Sequence, residues 1–332
     1  MTIPVGLIGY GYWGPNLARN LDALPGLRLA AVCDSSPTRL ALAAAAFPAA
    51  LPVGDWRAML ADPEIAAVVL ATPADCHYGI ALAALEAGKH LLVEKPLAET
   101  AAQAATLAAE SRRRGVVLMV DHTYLYSGAF ESLERHVAAG GLGALSSYHS
   151  VRWNHARPRH DATVLGDLAV HDLAILDRLF QRLPVVVSAQ GESTVDGTPP
   201  SAILTAIYPG DFRAEISVSW VAGPRTRLVR LGGQRGSLVW DDLDPARRLT
   251  LHGASAGSLP HDPKGRDVAL AVADREPLRS LAEAFRRAIA AGVPVPVWGD
   301  SALRIARTLD AALLSLQRGG TREFLAAQEV AV

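Results

Sequence analysis

Two cysteines in 332 residues, Cys33 and Cys76, give no CxxC spacing. That leaves no material for a disulfide framework or a cysteine-based zinc site, and a reducing cytoplasm is the expected setting. The ten histidines form no HxH or HExxH pattern, so no metal centre is expected. A basic excess is missing too. Lys and Arg number 32 against 33 Asp and Glu, which argues against a nucleic-acid binder held by phosphate contacts. No apolar run approaches the roughly 20 residues that cross a bilayer, so no membrane partner is expected. Met1-Thr2-Ile3-Pro4-Val5 lacks the basic start of a signal peptide and reads as a strand. No solenoid period is present, and the alanines at 43–46 are helix-favouring composition rather than a repeat.

What is there suits a globular chain long enough for two domains, half apolar and one fifth charged. Short aliphatic runs at 3–8, 27–33, 65–71, 91–93 and 116–120 read as strands buried on both faces. Helices fall between them. Ser36-Pro37 starts one that ends at Phe47-Pro48. A second runs from Cys76 to Ala87 with Gly88 as its stop, and a third from Thr100 to Arg114 before Gly115. Alternating strands and helices imply right-handed crossovers and a parallel, doubly wound sheet, with ligands at the carboxyl ends of its strands.

The first strand runs directly into Gly9-Tyr10-Gly11-Tyr12-Trp13-Gly14, and a helix-like segment, 16–24, follows. In a dinucleotide loop Gly9 permits the tight turn, Gly11 lets the backbone approach the pyrophosphate, and Gly14 allows close helix–strand packing. The helix N-terminus then offers N–H groups to phosphate. Asp34 ends the second strand, where a carboxylate accepts hydrogen bonds from the ribose hydroxyls and repels a 2′-phosphate. That favours NAD over NADP. Arg39 weighs the other way, because a nearby arginine accommodates the phosphate. An ordinary helix cap is the alternative role for Asp34.

Two further features carry chemistry. Glu94-Lys95-Pro96 follows the strand 91–93, which points the Lys95 ammonium into the ligand cleft, where it can hydrogen-bond a substrate hydroxyl. A surface lysine in a turn is the alternative. Later, Asp167 and His171 stand four apart ahead of an amphipathic run at Leu173, Ile175, Leu176 and Leu179. On an α-helix they share one face, and a carboxylate beside an imidazole raises its basicity. The alternative is a solvated ion pair on a helix surface. Asp172 falls on another face and reads as structural.

In this order, Gly9 to Asn16, Thr72-Pro73 with His77, Glu94-Lys95-Pro96 and Asp167 to Asp172 resemble the glucose–fructose oxidoreductase and inositol dehydrogenase family, Gfo/Idh/MocA. The resemblance covers nearly the whole chain. It implies an α/β protein: an N-terminal Rossmann doubly wound parallel sheet plus a C-terminal α+β domain with a large open mixed sheet. Lys95, Asp167 and His171 are then catalytic. Tyr12, Trp13, Thr72, His77 and Glu94 join Gly9, Gly11, Gly14, Asp34 and Arg39 as cofactor-site residues, and a cis bond is expected before Pro96. The wording Tyr12-Trp13-Gly14-Pro15-Asn16 resembles the branch that oxidises the C3 hydroxyl of nucleotide sugars. Gly166 departs from that branch, which often carries a bulky aromatic just before the catalytic aspartate.

The expected domains are 1–122, binding NAD, and 123–332, binding substrate and oligomerising. Strands are expected at 147–153, 185–190, 202–208, 213–221, 226–231 and 236–240. A free sheet face predicts a homo-oligomer, a dimer or tetramer. The helix at 300–317 is expected to pack back on the first domain. Arg152 and Asn154, with Arg157 and Arg159, are candidates for contacts to substrate hydroxyls and a diphosphate. His155 and His160 are expected on the loop surface. The expected activity is NAD-dependent oxidation of a secondary hydroxyl, at C3, of a nucleotide-activated sugar. The alternatives are NAD(P)H-dependent ketosugar reduction and dehydrogenation of a free polyol such as inositol. A nucleotide sensor without catalysis is less favoured, because it need not keep Lys95, Asp167 and His171 together.

Overall fold

The computed structural model describes residues 2–155, 162–192, 199–254, 266–292 and 296–325. Six short runs build a parallel sheet: β1 (Ile3–Ile8), β2 (Leu27–Cys33), β3 (Leu51–Val53), β4 (Ala67–Leu70), β5 (His90–Val93) and β6 (Leu118–Val120). Their order, β3-β2-β1-β4-β5-β6, is that of a doubly wound dinucleotide-binding sheet. Every residue of β4 is buried. Ala67 and Val69 face one core while Val68 and Leu70 face the other, as a strand covered on both sides requires.

The helices of this half start and stop where local chemistry directs. In α1 (Gly14–Ala23) Pro15 fills the first turn. In α2 (Pro37–Ala46) the Ser36 hydroxyl accepts the Arg39 N–H. The short α3 (Trp56–Ala61) is capped by Asp55, and α4 is His77–Glu86. α5 (Ala101–Arg114) is capped by Thr100 and closed by Gly115 at φ 66°.

The chain divides into two compact units, Met1–Tyr126 with Arg275–Ala306, and Ser127–Asp274 with Arg307–Val332. The division falls at Tyr126 rather than at 122, and a later stretch returns to the first unit. In that stretch α8 (Pro277–Ala291), numbered after two helices of the second unit, buries Leu278, Leu281 and Phe285 in one core of the parallel sheet. The first half of α9 (Pro296–Gln317) buries Ala302 and Leu303 in the other.

The second unit holds α6 (Gly128–Ala138), β7 (Leu145–Trp153) and α7 (Val170–Phe180). The strands β8 (Val186–Gly191), β9 (Ser201–Ile207), β10 (Arg213–Ser219), β11 (Thr226–Gly233), β12 (Gly236–Asp241), β13 (Leu249–Ala254), β14 (Arg266–Ala269) and β15 (Glu323–Phe324) follow. They form a nine-stranded sheet with β7, ordered β14-β13-β12-β11-β7-β10-β9-β8-β15. The sheet is mixed: β10 runs parallel to β7 and antiparallel to β9. Inward residues of β7 and β12 meet the helices, with Tyr148 bonded to Asp172 of α7 and Trp240 against Phe130 of α6. On β7 the intervening His149 is exposed, as is Ile203 of β9. Among the described residues no helix is long and apolar enough to cross a membrane.

Candidate active site

The strand order reverses between β1 and β4, which opens a crevice at their carboxyl ends. The loops that follow these two strands touch there. Gly9 has φ 99°, and a Cβ on it would stand 2.5 Å from the Ala71 carbonyl oxygen. A Cβ on Gly14 would stand 2.4 Å from Gly9 O, so the start of α1 packs directly on the loop. Gly11 differs. The nearest atom to a Cβ there is Arg39 Nη1 at 3.8 Å, so bare backbone faces open space. The α1 N-terminus has no side-chain cap. Thr72 Oγ1 is buried without a hydrogen-bond partner among the described residues. Open backbone at Gly11, an uncapped helix start and an unmet hydroxyl are what a bound dinucleotide requires. Tyr12 and Trp13 are solvent-exposed and stack edge to face at 5.8 Å.

Asp34 does more than one job. Its Oδ2 accepts the Tyr10 N–H at 2.8 Å, and Oδ1 accepts the Ser36 N–H at 2.9 Å. The carboxylate therefore ties the glycine loop to the end of β2, while the cap of α2 is Ser36 rather than Asp34. Arg39 Nη1 lies 3.8 Å from Asp34 Oδ2. His77 is a clamp: Nδ1 is 2.7 Å from Pro96 O and Nε2 2.9 Å from Thr72 O. It joins the loops after β4 and β5. Burial lowers its pKa, opposed by the two carbonyls.

Glu94 and Lys95 follow β5, and Lys95–Pro96 is cis, as expected. Glu94 is buried, and its Oε2 accepts the Lys95 backbone N–H at 3.1 Å. Its partner is Asp121, at the matching position after β6, whose Oδ1 also accepts the Thr123 hydroxyl. Burial, then the Asp121 charge, hold Glu94 protonated well above the ordinary glutamate range. His122 is pushed down to about 4 by burial and by the charge of Lys95. Spacing alone gave no sign of Asp121 and His122, which become neighbours of Lys95 only through strand pairing.

In the second unit, Asp167 lies in a wide π-helical turn, Leu165–Ala169, and α7 begins after it. The single α-helix expected across Asp167 and His171 is thus a π-turn running into an α-helix. Thr163 sets that turn: its Oγ1 accepts the Gly166 N–H and its carbonyl the Asp167 N–H. Such turns cluster at functional sites. A Cβ on Gly166 would stand 3.2 Å from Thr163 Oγ1, so a bulky residue there presses on the same hydroxyl. Asp167 Oδ2 accepts the indole N–H of buried Trp220 at 2.9 Å. His171 sits in the first turn of α7.

Arg152 is tied to α7. Its guanidinium is buried and bonded to Asp172, Nε to Oδ2 at 2.5 Å and Nη2 to Oδ1 at 3.3 Å. Arginine on an inward position of β7 fastens the sheet to α7. Asn154, just past β7, is half-buried, and its N–H is donated to Ser219 O. His155 is exposed. Arg157, Arg159 and His160 lie outside the described residues. Among the described residues no group of three or more His, Cys, Asp or Glu could hold a metal ion.

Residues 3–122 match the oxidoreductase family with an NAD-binding Rossmann fold, Gfo/Idh/MocA, and residues 130–239 match its C-terminal domain. The chain belongs to the Gfo/Idh/MocA oxidoreductase family. It is an NAD(P)-dependent oxidoreductase acting on a CH–OH group. A relative from Acidithiobacillus ferrooxidans named UDP-N-acetylglucosamine 3-dehydrogenase is 31% identical, covering 90% of this chain and 93% of its own. A solved structure of the enzyme of that name from the same organism superposes with TM-score 0.84 at 28% identity, over 96% of this chain and 98% of that one. Inositol 2-dehydrogenase 1 of Saccharopolyspora erythraea is 31% identical, covering 90% of this chain and 97% of its own.

Proposed function

We propose that this chain is an NAD-dependent dehydrogenase that oxidises the C3 hydroxyl of a nucleotide-activated sugar to a ketosugar. The observation that carries the substrate class is the near full-length likeness to the Acidithiobacillus UDP-N-acetylglucosamine 3-dehydrogenase. The wording Tyr12-Trp13-Gly14-Pro15-Asn16 supports it. His171 takes the proton of the sugar hydroxyl. Asp167 orients the imidazole and offsets the charge it gains. Lys95 donates a hydrogen bond to the same oxygen and stabilises the negative charge that develops there. Bound NAD supplies the hydride acceptor at nicotinamide C4. The loop of Gly9, Gly11 and Gly14 would hold its phosphates, Asp34 would bind its ribose, and Tyr12 and Trp13 would offer apolar surface beside them. Thr72, His77 and Glu94 hold the loops that border it. Asn154 is assigned to the sugar. Asp34 favours NAD, and Arg39 is the residue through which NADP would be accepted.

A panel of UDP- and dTDP-sugars, inositol and other free polyols, each with NAD or NADP, tests this by nicotinamide absorbance. Turnover with a nucleotide sugar and NAD is expected. Turnover with inositol alone overturns it in favour of the second reading, a free-polyol dehydrogenase, which the Saccharopolyspora relative favours. Run from the ketosugar with NADH, the same assay separates oxidation from reduction.

The solvent-facing side of the nine-stranded sheet, including His149 and Ile203, is assigned to a dimer or tetramer contact. Light scattering at micromolar concentration tests it, and a monomer rejects it. Cys33 and Cys76 are both free thiols, which suits the reducing cytoplasm.

A further inference from the structure

Trp220 follows β10 at a point where three strands converge. Its N–H is donated to Pro200 O at 2.9 Å, just before β9. The preceding residue, Ser219, fixes the chain on either side. Its hydroxyl pairs with that of Ser201 on β9 at 2.6 Å and accepts the N–H groups of Val221 and Ala222, while its carbonyl accepts the Asn154 N–H beyond β7. This backbone frame leaves the indole little freedom, and the side chain is 2% exposed. From that frame Nε1–H reaches Asp167 Oδ2 at 2.9 Å.

An indole N–H donates and never accepts, and it does not titrate in water. Opposite Asp167 it therefore fixes Oδ2 as an acceptor, so that oxygen cannot be the one that carries a proton toward Trp220. A hydroxyl or a water could turn around and accept a proton from Asp167. Indole cannot. On the next turn Asp172 is fixed by Tyr148 and Arg152, so the start of α7 is anchored just beyond His171. Trp220 is the matching anchor on the Asp167 side.

We propose that Trp220 is a positioning residue for the reaction: its indole N–H holds Asp167 as a fixed hydrogen-bond acceptor, so that Asp167 can orient His171. This rests on the catalytic reading of Asp167. Trp220→Phe keeps most of the ring volume and removes the donor. Loss of a charge-assisted bond predicts that kcat falls about 10- to 100-fold, with the Kd for NAD and the circular-dichroism spectrum unchanged. In an Asp167→Ala background the same substitution is expected to change kcat less than about twofold, because the acceptor is gone. Undiminished kcat in Trp220→Phe, or an equal loss in both backgrounds, overturns the proposal. A second measurement needs no variant to be active. The indole N–H resonance of Trp220, assigned by its loss in Trp220→Phe, is expected to move on acid titration of the wild type and not of Asp167→Asn. A resonance that titrates identically in both overturns the contact. Wild-type turnover by Asp167→Ala defeats the catalytic reading itself, and the resonance tells that failure apart.

Discussion

Arg152 and Asp172 form a two-bond ion pair with both side chains out of water, 5% and 0% exposed, and the Tyr148 hydroxyl adds a third bond to the same carboxylate at 2.6 Å. Removing one partner strands a buried charge, a loss of about 3–5 kcal/mol. Arg152→Ala is therefore expected to lower unfolding free energy by that amount in urea, with the KM for substrate barely changed among folded molecules. Arg152→Met combined with Asp172→Leu and Tyr148→Phe is expected to recover much of the loss, because no charge or buried hydroxyl is left unpaired. A raised KM at unchanged stability returns Arg152 to the substrate site.

The glycines of the phosphate loop differ in what a methyl group would do. At Gly9 it would meet the Ala71 carbonyl at φ 99°. At Gly11 it would meet nothing closer than 3.8 Å. Gly9→Ala is expected to cost at least about 1–3 kcal/mol of stability through backbone strain and clash. Gly11→Ala is expected to leave Tm unchanged and to weaken NAD binding, since its methyl points where a phosphate would lie. Thermal melts with and without NAD separate the two. Equal Tm losses would mean that Gly11, too, is a packing glycine.

The legible parts of this chain were those written in local chemistry. Ser36-Pro37, Thr100 and Gly115 mark helix ends by short-range bonds, and the structure places ends at Pro37, Ala101 and Arg114. Strands buried on both faces announce themselves as continuous apolar runs, as β4 does. The edge strand β3 has only three residues, with Leu51 and Pro52 exposed, so it has no apolar pattern to read. α8 did carry a signal, apolar residues at Leu278, Leu281, Ala282 and Phe285 between Pro277 and Gly292. Asp121 and Trp220 could not be read this way. Asp121 meets Glu94 because β5 and β6 pair, and Trp220 meets Asp167 across 53 residues of chain. A tryptophan ending a strand does raise the question of where its N–H goes, and that question leads to Asp167. The ion pair of Arg152 was not legible either, because sequence does not tell an inward strand position facing Asp172 from an outward one.

The pair of Glu94 and Asp121 gives a pH dependence with a definite sign. Burial first, and the Asp121 charge second, hold Glu94 protonated well above its ordinary 4.5. Above that value the folded chain keeps a proton that the unfolded chain releases, so this contribution to stability is lost as pH rises. His122 acts oppositely. Pushed from 6.5 to about 4 by burial and the Lys95 charge, it stays neutral where the unfolded chain is protonated, and stability is lost as pH falls through that window. Glu94→Gln keeps an acceptor for the Lys95 N–H and removes the titration of Glu94 from its pair with Asp121. The Tm difference, variant minus wild type, is expected to climb as pH rises above 4.5. A flat or falling difference means that Glu94 is ionised in the folded protein.

The proposed chemistry gives Lys95 and His171 different tasks on one hydroxyl. His171 moves the proton and Lys95 stabilises the oxygen. Loss of a general base costs about 10²- to 10⁴-fold in rate, and loss of a donor to the developing charge costs on the order of 10²- to 10³-fold. Lys95→Ala and His171→Ala are thus each expected to abolish most turnover. The Kd for NAD should stay within about twofold, because neither residue is assigned to the phosphates or the ribose. Lys95→Arg restores a positive charge without the same point donor and is expected to recover only part of the rate. Cofactor titration by fluorescence, run beside steady-state kinetics, decides the matter. Matched losses of cofactor affinity and turnover in either variant would make that residue part of the dinucleotide site and leave the proton transfer to another group.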